Sequence, residues 1–142
     1  MLFELDMLET RRIADMALEA RKVRDQLLEK VPESKLWQPV PARGEHNPAG
    51  SAALMDVQRN KPEMRALWQA IMALPRDIRE KVWSVARIGS GDAAIQDWDA
   101  TIAEAALLTD QELTMDLVDA PDLHDHLGKG LYMVHAADTA NG

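Results

Sequence analysis

Apolar residues return at the helical period through residues 6–30, where Ile13, Met16, Ala20, Val23 and Leu27 follow 3-4-3-4 spacing and gather on one face. Arg11, Arg12, Glu19, Arg21, Lys22, Arg24, Asp25 and Glu29 fill much of the remainder, so the helix is amphipathic, and Arg21 can pair with Asp25 one turn on. Asp6 followed by Glu9 resembles a capping box with Asp in the place of Ser or Thr. The seam runs for less than three heptads, which suits an antiparallel neighbour or a second copy of the same helix.

The pattern breaks from Val31 to Gly50, where Pro32, Pro39, Pro41 and Pro48 with Gly44 and Gly50 deny regular hydrogen bonding to most of the segment. Residues 31–50 are therefore expected as an extended Pro-rich loop, with Trp37 either docking it on the core or standing out as an aromatic anchor for a partner. Ser51 then caps a short helix through Val57, and Pro62 opens another in which Met64, Leu67, Trp68 and Ile71 share a face. Pro75 stops that helix and starts the next, where Ile78, Val82, Val85 and Ala86 keep helical spacing with Trp83 at the flank.

Gly89-Ser90-Gly91-Asp92 reads as a connector whose Asp caps a helix over about 93–108, with Ile95, Trp98, Ile102, Ala105 and Ala106 turned inward. Thr109 and Glu112 form a Thr-x-x-Glu capping box ahead of Leu113 and Leu117. After Pro121, Leu123, Leu127, Leu131 and Val134 make the last apolar stripe, weakened by Gly128 and Gly130 at up to about 1 kcal/mol each relative to Ala. No segment alternates with period two, so the chain is expected to be all-α. The architecture is a long N-terminal helix, a long Pro-rich loop and about five shorter helices, the last four in a compact array. Residues 1–134 make one helical domain and 135–142 a flexible tail.

Composition narrows the chemistry. A chain of 142 residues can bury a single core, and the absence of Cys excludes disulfides, thiolate metal sites and thiol catalysis. No apolar run approaches the roughly 20 residues that span a bilayer, and no basic segment followed by an apolar run opens the chain, so a cytoplasmic protein with no membrane partner is expected. The net charge of −8 is uneven: residues 1–75 carry 11 basic and 11 acidic side chains, and residues 76–142 carry 5 and 13. Between Arg87 and Lys129 there is no Lys or Arg, which argues against direct binding of nucleic acid there.

Few residues offer chemistry. Asp122 and His126 lie one turn apart and are the metal candidates, with His135 or His46 as possible further ligands; His124 points about 200° away from His126 on the same helix. Gly89-Ser90-Gly91 matches no phosphate-binding fingerprint, and the paired acids Asp97/Asp99 and Asp116/Asp119 have no surroundings that would push their acidities apart. No nucleophile elbow surrounds any Ser, so there is no catalytic residue to name and no cofactor is implied. Trp37, Asp97, Asp99, Glu104 and Asp116 are the interaction candidates.

From Leu67 to Val134 the chain resembles a bacterial family of unknown function, DUF3775. The resemblance rests on Ile88-Gly89-Ser90-Gly91-Asp92, on Asp97-Trp98, and on the run from Leu117 through Pro121, Leu123, Asp125 and Leu127 to Gly130-Leu131. The sequence departs from the family pattern at Ser90, where Arg is usual, at His126, where an aromatic is usual, and at Gly128 and Lys129, where acids are usual. The resemblance implies a helical fold and no particular activity.

Taken together, the residues point to a non-enzymatic helical interaction or regulatory protein that binds another protein, or pairs with itself through the N-terminal helix. Two alternatives stay open: an acidic mimic of nucleic acid that occupies a DNA- or RNA-binding protein, and a small-molecule or metal-dependent enzyme.

Overall fold

The computed structural model describes residues 2–30 and 61–141, with side chains described over 2–26 and 61–139. The described residues form six α-helices and no strand: α1 (Glu4–Lys30), α2 (Pro62–Ala73), α3 (Arg76–Ser90), α4 (Trp98–Ala106), α5 (Asp110–Val118) and α6 (Leu123–Asn141), with a 3₁₀ turn at Ile95–Asp97 before α4. The architecture is the all-α one expected, with five shorter helices after the long first one. The expected loop at 31–50, Trp37, His46 and the short helix at 51–57 lie outside the described residues. Helix α6 carries on through the residues expected as a tail, to Asn141.

Local signals set most boundaries. Pro62 is the first residue of α2, Pro75 flanks α3, and Thr109 and Glu112 make both halves of their capping box at 3.0 and 3.1 Å. Asp6 does not stand before its helix as expected. It is the third residue of α1, and its carboxylate reaches back to accept from the Phe3 backbone N–H at 2.8 Å, which satisfies one otherwise orphaned donor.

Two further corrections concern the connector. Helix α3 does not end at Ile88 but runs through Gly89 and Ser90, and Gly91 terminates it at φ 88°, a left-handed conformation that favours Gly. Asp92 does not cap the next helix; its carboxylate bonds the Ser90 hydroxyl at 3.0 Å, and the chain reaches α4 through the 3₁₀ turn. Ala106 faces water rather than the core, because α4 starts later than the spacing predicts and ends there.

Helix α3 lies at the centre and packs most extensively on α6. The crossing is close enough to exclude side chains. A Cβ on Gly89 would stand 1.7 Å from the His126 carbonyl oxygen, and one on Gly130 would stand 2.1 Å from that of Val85. The glycines that seemed only to weaken the last helix thus divide into two kinds, since Gly130 is required by the crossing while a Cβ on Gly128 would meet nothing within 4 Å. Around this contact the core gathers Leu67, Ile71, Val82, Val85, Ile88, Leu113, Leu117, Leu123, Leu127 and Val134. Trp83 and Trp98 are buried with them and Trp68 packs at the edge, as the core reading of the tryptophans requires. Helix α1 lies antiparallel to α6, with Ile13, Ala14, Ala17 and Ala20 buried, while Met16 and Val23 are half-buried.

Charged side chains from the start of α3 tie the helix ends together. Arg79, only 4% exposed, donates from Nε to Ile71 O at 2.9 Å and from Nη2 to Met72 O and Leu74 O at 2.7 Å each, closing the carbonyls that end α2. Arg76 does the same for α4 through Ala105 O and Leu108 O. Both guanidiniums meet the carboxylate of Asp110, the first residue of α5. The hydrogen bond from Arg76, helped by the charge of both arginines, holds the Asp110 carboxyl below its ordinary value.

Two outcomes follow for stability. Gly130→Ala forces the α3–α6 backbones apart and lowers stability by about 1–3 kcal/mol or more, whereas Gly128→Ala, in an open helical position, raises it by about 0.5–1 kcal/mol; urea unfolding of both variants reads the opposite signs. Because the folded-state pKa of Asp110 is depressed, its contribution is present above the unfolded value near 3.8 and is lost as the pH falls through the folded one. Asp110→Asn is therefore less stable than the parent at pH 7 and loses less stability between pH 5 and pH 2 (roughly the window in which such a carboxylate protonates), measured by urea midpoints across that range.

Candidate functional site

Polar side chains of several kinds converge on a groove of about 280 Å³ between α3, α5 and α6, lined by Trp83, Arg87, Ser90, Asp92, Asp116 and His126 over a floor that includes Leu117 and Leu123. Helical spacing on α3 places Trp83, Arg87 and Ser90 three to four residues apart, so they present one edge of the helix to the groove. Asp116 comes from the exposed side of α5, and His126 from the first turn of α6.

The groove is organised around Arg87. Its guanidinium lies over the Trp83 ring at 5.1 Å from the centroid, a cation–π arrangement. One terminal nitrogen is 4.0 Å from Asp92 and the other 3.8 Å from Glu104, too long for tight pairs and close enough for charge attraction. The Arg87 Nε is buried and has no hydrogen-bond partner among the described residues. Trp83, itself buried, donates its indole N–H to Asp116 at 3.1 Å, which orients that carboxylate at the rim. One cation thus lies near the carboxylates of Asp92 and Glu104, and that of Asp116 lines the same groove. Asp97 and Asp99 of the neighbouring α4 segment are exposed, with no side-chain partner among the described residues.

Of the residues singled out from the sequence, Asp116 and His126 line this groove and Glu104 approaches it through Arg87. Asp122 does not come into it. It faces α1, where Arg21 lies 3.9 Å from Asp122 and 2.9 Å from Asp125. The turn that joins Asp122 to His126 is a backbone hydrogen bond of 2.9 Å, and His124 Nδ1 sits 2.8 Å from Ala14 O, tying α6 to α1. No group of three or more His, Cys, Asp or Glu capable of holding a metal occurs among the described residues. Arg87 and Trp83 were not singled out as site residues. The available signal was that Arg87 is the last base before the long stretch without Lys or Arg.

Two other grooves of about 360 Å³ each flank the body. One, between α2 and α5, is lined by Met64, Arg65, Trp68 and Met115 among others, and the other, between α1 and α6, by Arg11, Asp15, His124 and Tyr132 among others. Each sets one cation and one carboxylate on apolar walls, Arg65 with Asp119 and Arg11 with Asp15, without the stacked and hydrogen-bonded cluster that surrounds Arg87. No helix among the described residues is long and apolar enough to cross a membrane.

No curated protein and no solved structure matches the chain. Comparison with protein families matches residues 64–135 to the one described as Protein of unknown function (DUF3775). That stretch is just over half of the chain and runs from α2 to the middle of α6, so it contains the glycine crossing, the two arginine clamps and the whole lining of the groove around Arg87. The resemblance read from Gly89, Asp92, Trp98 and the Leu117–Leu131 run is therefore correct, and the chain belongs to the DUF3775 family.

Proposed function

We propose that the chain is a non-enzymatic helical module of the bacterial cytoplasm that binds another protein, taking a Lys- or Arg-bearing segment of it across the groove between α3, α5 and α6. The observation that carries this reading is the charge balance of the groove: one guanidinium, already engaged with an aromatic face and near Asp92 and Glu104, shares the site with the further carboxylate of Asp116. An incoming cation is attracted to that imbalance, and the half-buried apolar side chains of Ala86 and Ala120 in the lining give the stem of a Lys or Arg somewhere to lie. The same imbalance opposes a phosphate backbone, and none of these carboxylates has the burial that general acid or base work needs. Binding of this kind weakens as salt rises, since the charges lie at a solvent-facing rim.

A photo-crosslinking amino acid at Ala120, in the groove lining, tests the reading in living cells against a control at Lys129, an exposed position outside that lining. The expected result is a discrete protein adduct from position 120 alone, with a yield reduced about threefold or more by Asp92→Asn with Asp116→Asn, and reduced again by salt in permeabilised cells. Identical adducts from both positions, or a yield indifferent to the two substitutions, would overturn it.

A further inference from the structure

Helix α1 uses one face for the core and carries a second ordered stripe on the other. Asp6, Thr10, Ile13, Ala14, Ala17 and Ala20 are buried. On the opposite side Glu4, Leu8, Arg11, Asp15, Leu18 and Lys22 recur at 4-3-4-3-4 spacing, which is the spacing of a helix–helix seam. All are exposed except Leu18, which is half-buried, and Leu8 leaves 56% of its surface in water. Glu4, Arg11 and Asp15 have no side-chain partner among the described residues, and Lys22 pairs only with Glu19 of its own helix, at 3.1 Å.

The order of these six residues is complementary to its own reverse. Laid antiparallel on a second copy about an axis between Arg11 and Asp15, the stripe sets Glu4 against Lys22, Leu8 against Leu18 and Arg11 against Asp15, and each contact occurs twice by symmetry. Laid parallel and in register, it would set Glu4 on Glu4, Arg11 on Arg11, Asp15 on Asp15 and Lys22 on Lys22, all repulsive. Charge elsewhere favours the same face. The chain carries −8 overall, yet α1 itself carries seven acidic and six basic side chains, so a contact made along α1 meets little of that excess. Tyr132 of α6, 75% exposed, stands at the edge of the groove that Arg11 and Asp15 line, where it extends the apolar contact beyond the leucines.

From this complementarity we infer that α1 pairs antiparallel with α1 of a second copy of the chain, with Leu8 packed on the partner's Leu18 and Arg11 bonded to the partner's Asp15. The seam involves none of the side chains around Arg87, so the pairing stands independently of the groove. With two leucine contacts and four ion pairs along a helix span of about 27 Å, it is a small, reversible interface rather than a permanent one.

The full chain has no Cys, which allows a direct test of partner and direction. Leu8→Cys and Leu18→Cys are made as separate proteins and oxidised mildly, alone and mixed. In the antiparallel pair neither variant cross-links to itself, because identical positions lie about ten residues apart along the seam, roughly 15 Å, and the equimolar mixture gives a covalent dimer. Charge exchange supplies a second arm read by sedimentation. Arg11→Asp and Asp15→Arg each weaken dimerisation about tenfold or more, whereas an equal mixture of the two, or one chain carrying both, restores it. Both positions are exposed, so thermal unfolding stays near that of the parent and separates loss of pairing from loss of fold. Self-linking of Leu8→Cys alone, failure of the mixed variants to recover, or a chain that stays monomeric at every concentration overturns the inference. None of these outcomes alters the adduct expected from Ala120, and loss of that adduct leaves the dimer measurement untouched.

Discussion

Everything in this fold is arranged around a place where two backbones nearly touch. Gly89 on α3 and Gly130 on α6 remove the two side chains that would keep the helices apart, so the carbonyls of Val85 and His126 come within van der Waals reach of the facing helix. Close approach of this kind gains dispersion along the whole contact and commits both helices to a single rotation about their axes. With that rotation set, Val82, Val85 and Ile88 of α3 and Leu127, Leu131 and Val134 of α6 have only one interior to fill, and α1, α4 and α5 pack around it. The helical cost of glycine is offset by a contact that alanine could not make.

The second organising element is electrostatic and sits at the helix ends. A short helical array has many termini for its length, and each leaves carbonyls or amides without intrahelical partners. Arg76 and Arg79 close two C-termini from one turn of α3, and Asp110 joins them to the start of α5, where its negative charge is favourable to the helix dipole. Buried hydroxyls follow the same economy of partners, with Thr10, Thr101 and Thr114 bonding the carbonyl four residues back. Much of the acidic excess in the C-terminal half is thereby committed to structure: Asp110 to the arginine clamp, Asp122 and Asp125 to Arg21, and Glu112 to its capping box. Asp92, Glu104 and Asp116, outside these ties, share the neighbourhood of Arg87 and Trp83, which gives the groove its character.

Features written in neighbouring residues were legible from the sequence and features written across the chain were not. Pro62, Pro75 and the Thr109–Glu112 box mark helix starts because capping is decided within four residues, and the stripes of α2, α3, α5 and α6 show their inward faces because burial follows the helical period. Gly89 looked like a turn because its partner, the His126 carbonyl, is distant in sequence and close in space. Asp6 looked like a cap because the structure begins its helix two residues earlier, at Glu4. The sequence shows Asp122 one turn from His126 but not beside Arg21, which lies on a helix brought alongside only by folding. At the candidate site, Asp116, His126 and Glu104 could be singled out as polar residues, but Arg87 acquires meaning only beside Trp83 and the carboxylates of Asp92 in the connector and Glu104 on α4.

The two organising elements answer differently to their surroundings. The glycine crossing is made of backbone and aliphatic side chains, and contains no group that titrates or oxidises. The arginine clamp depends on a carboxylate, that of Asp110, whose charge Arg76 and Arg79 share. Acid therefore reaches the tie between α3 and α5 at Asp110 while the seam between α3 and α6, which holds no titrating group, keeps its register.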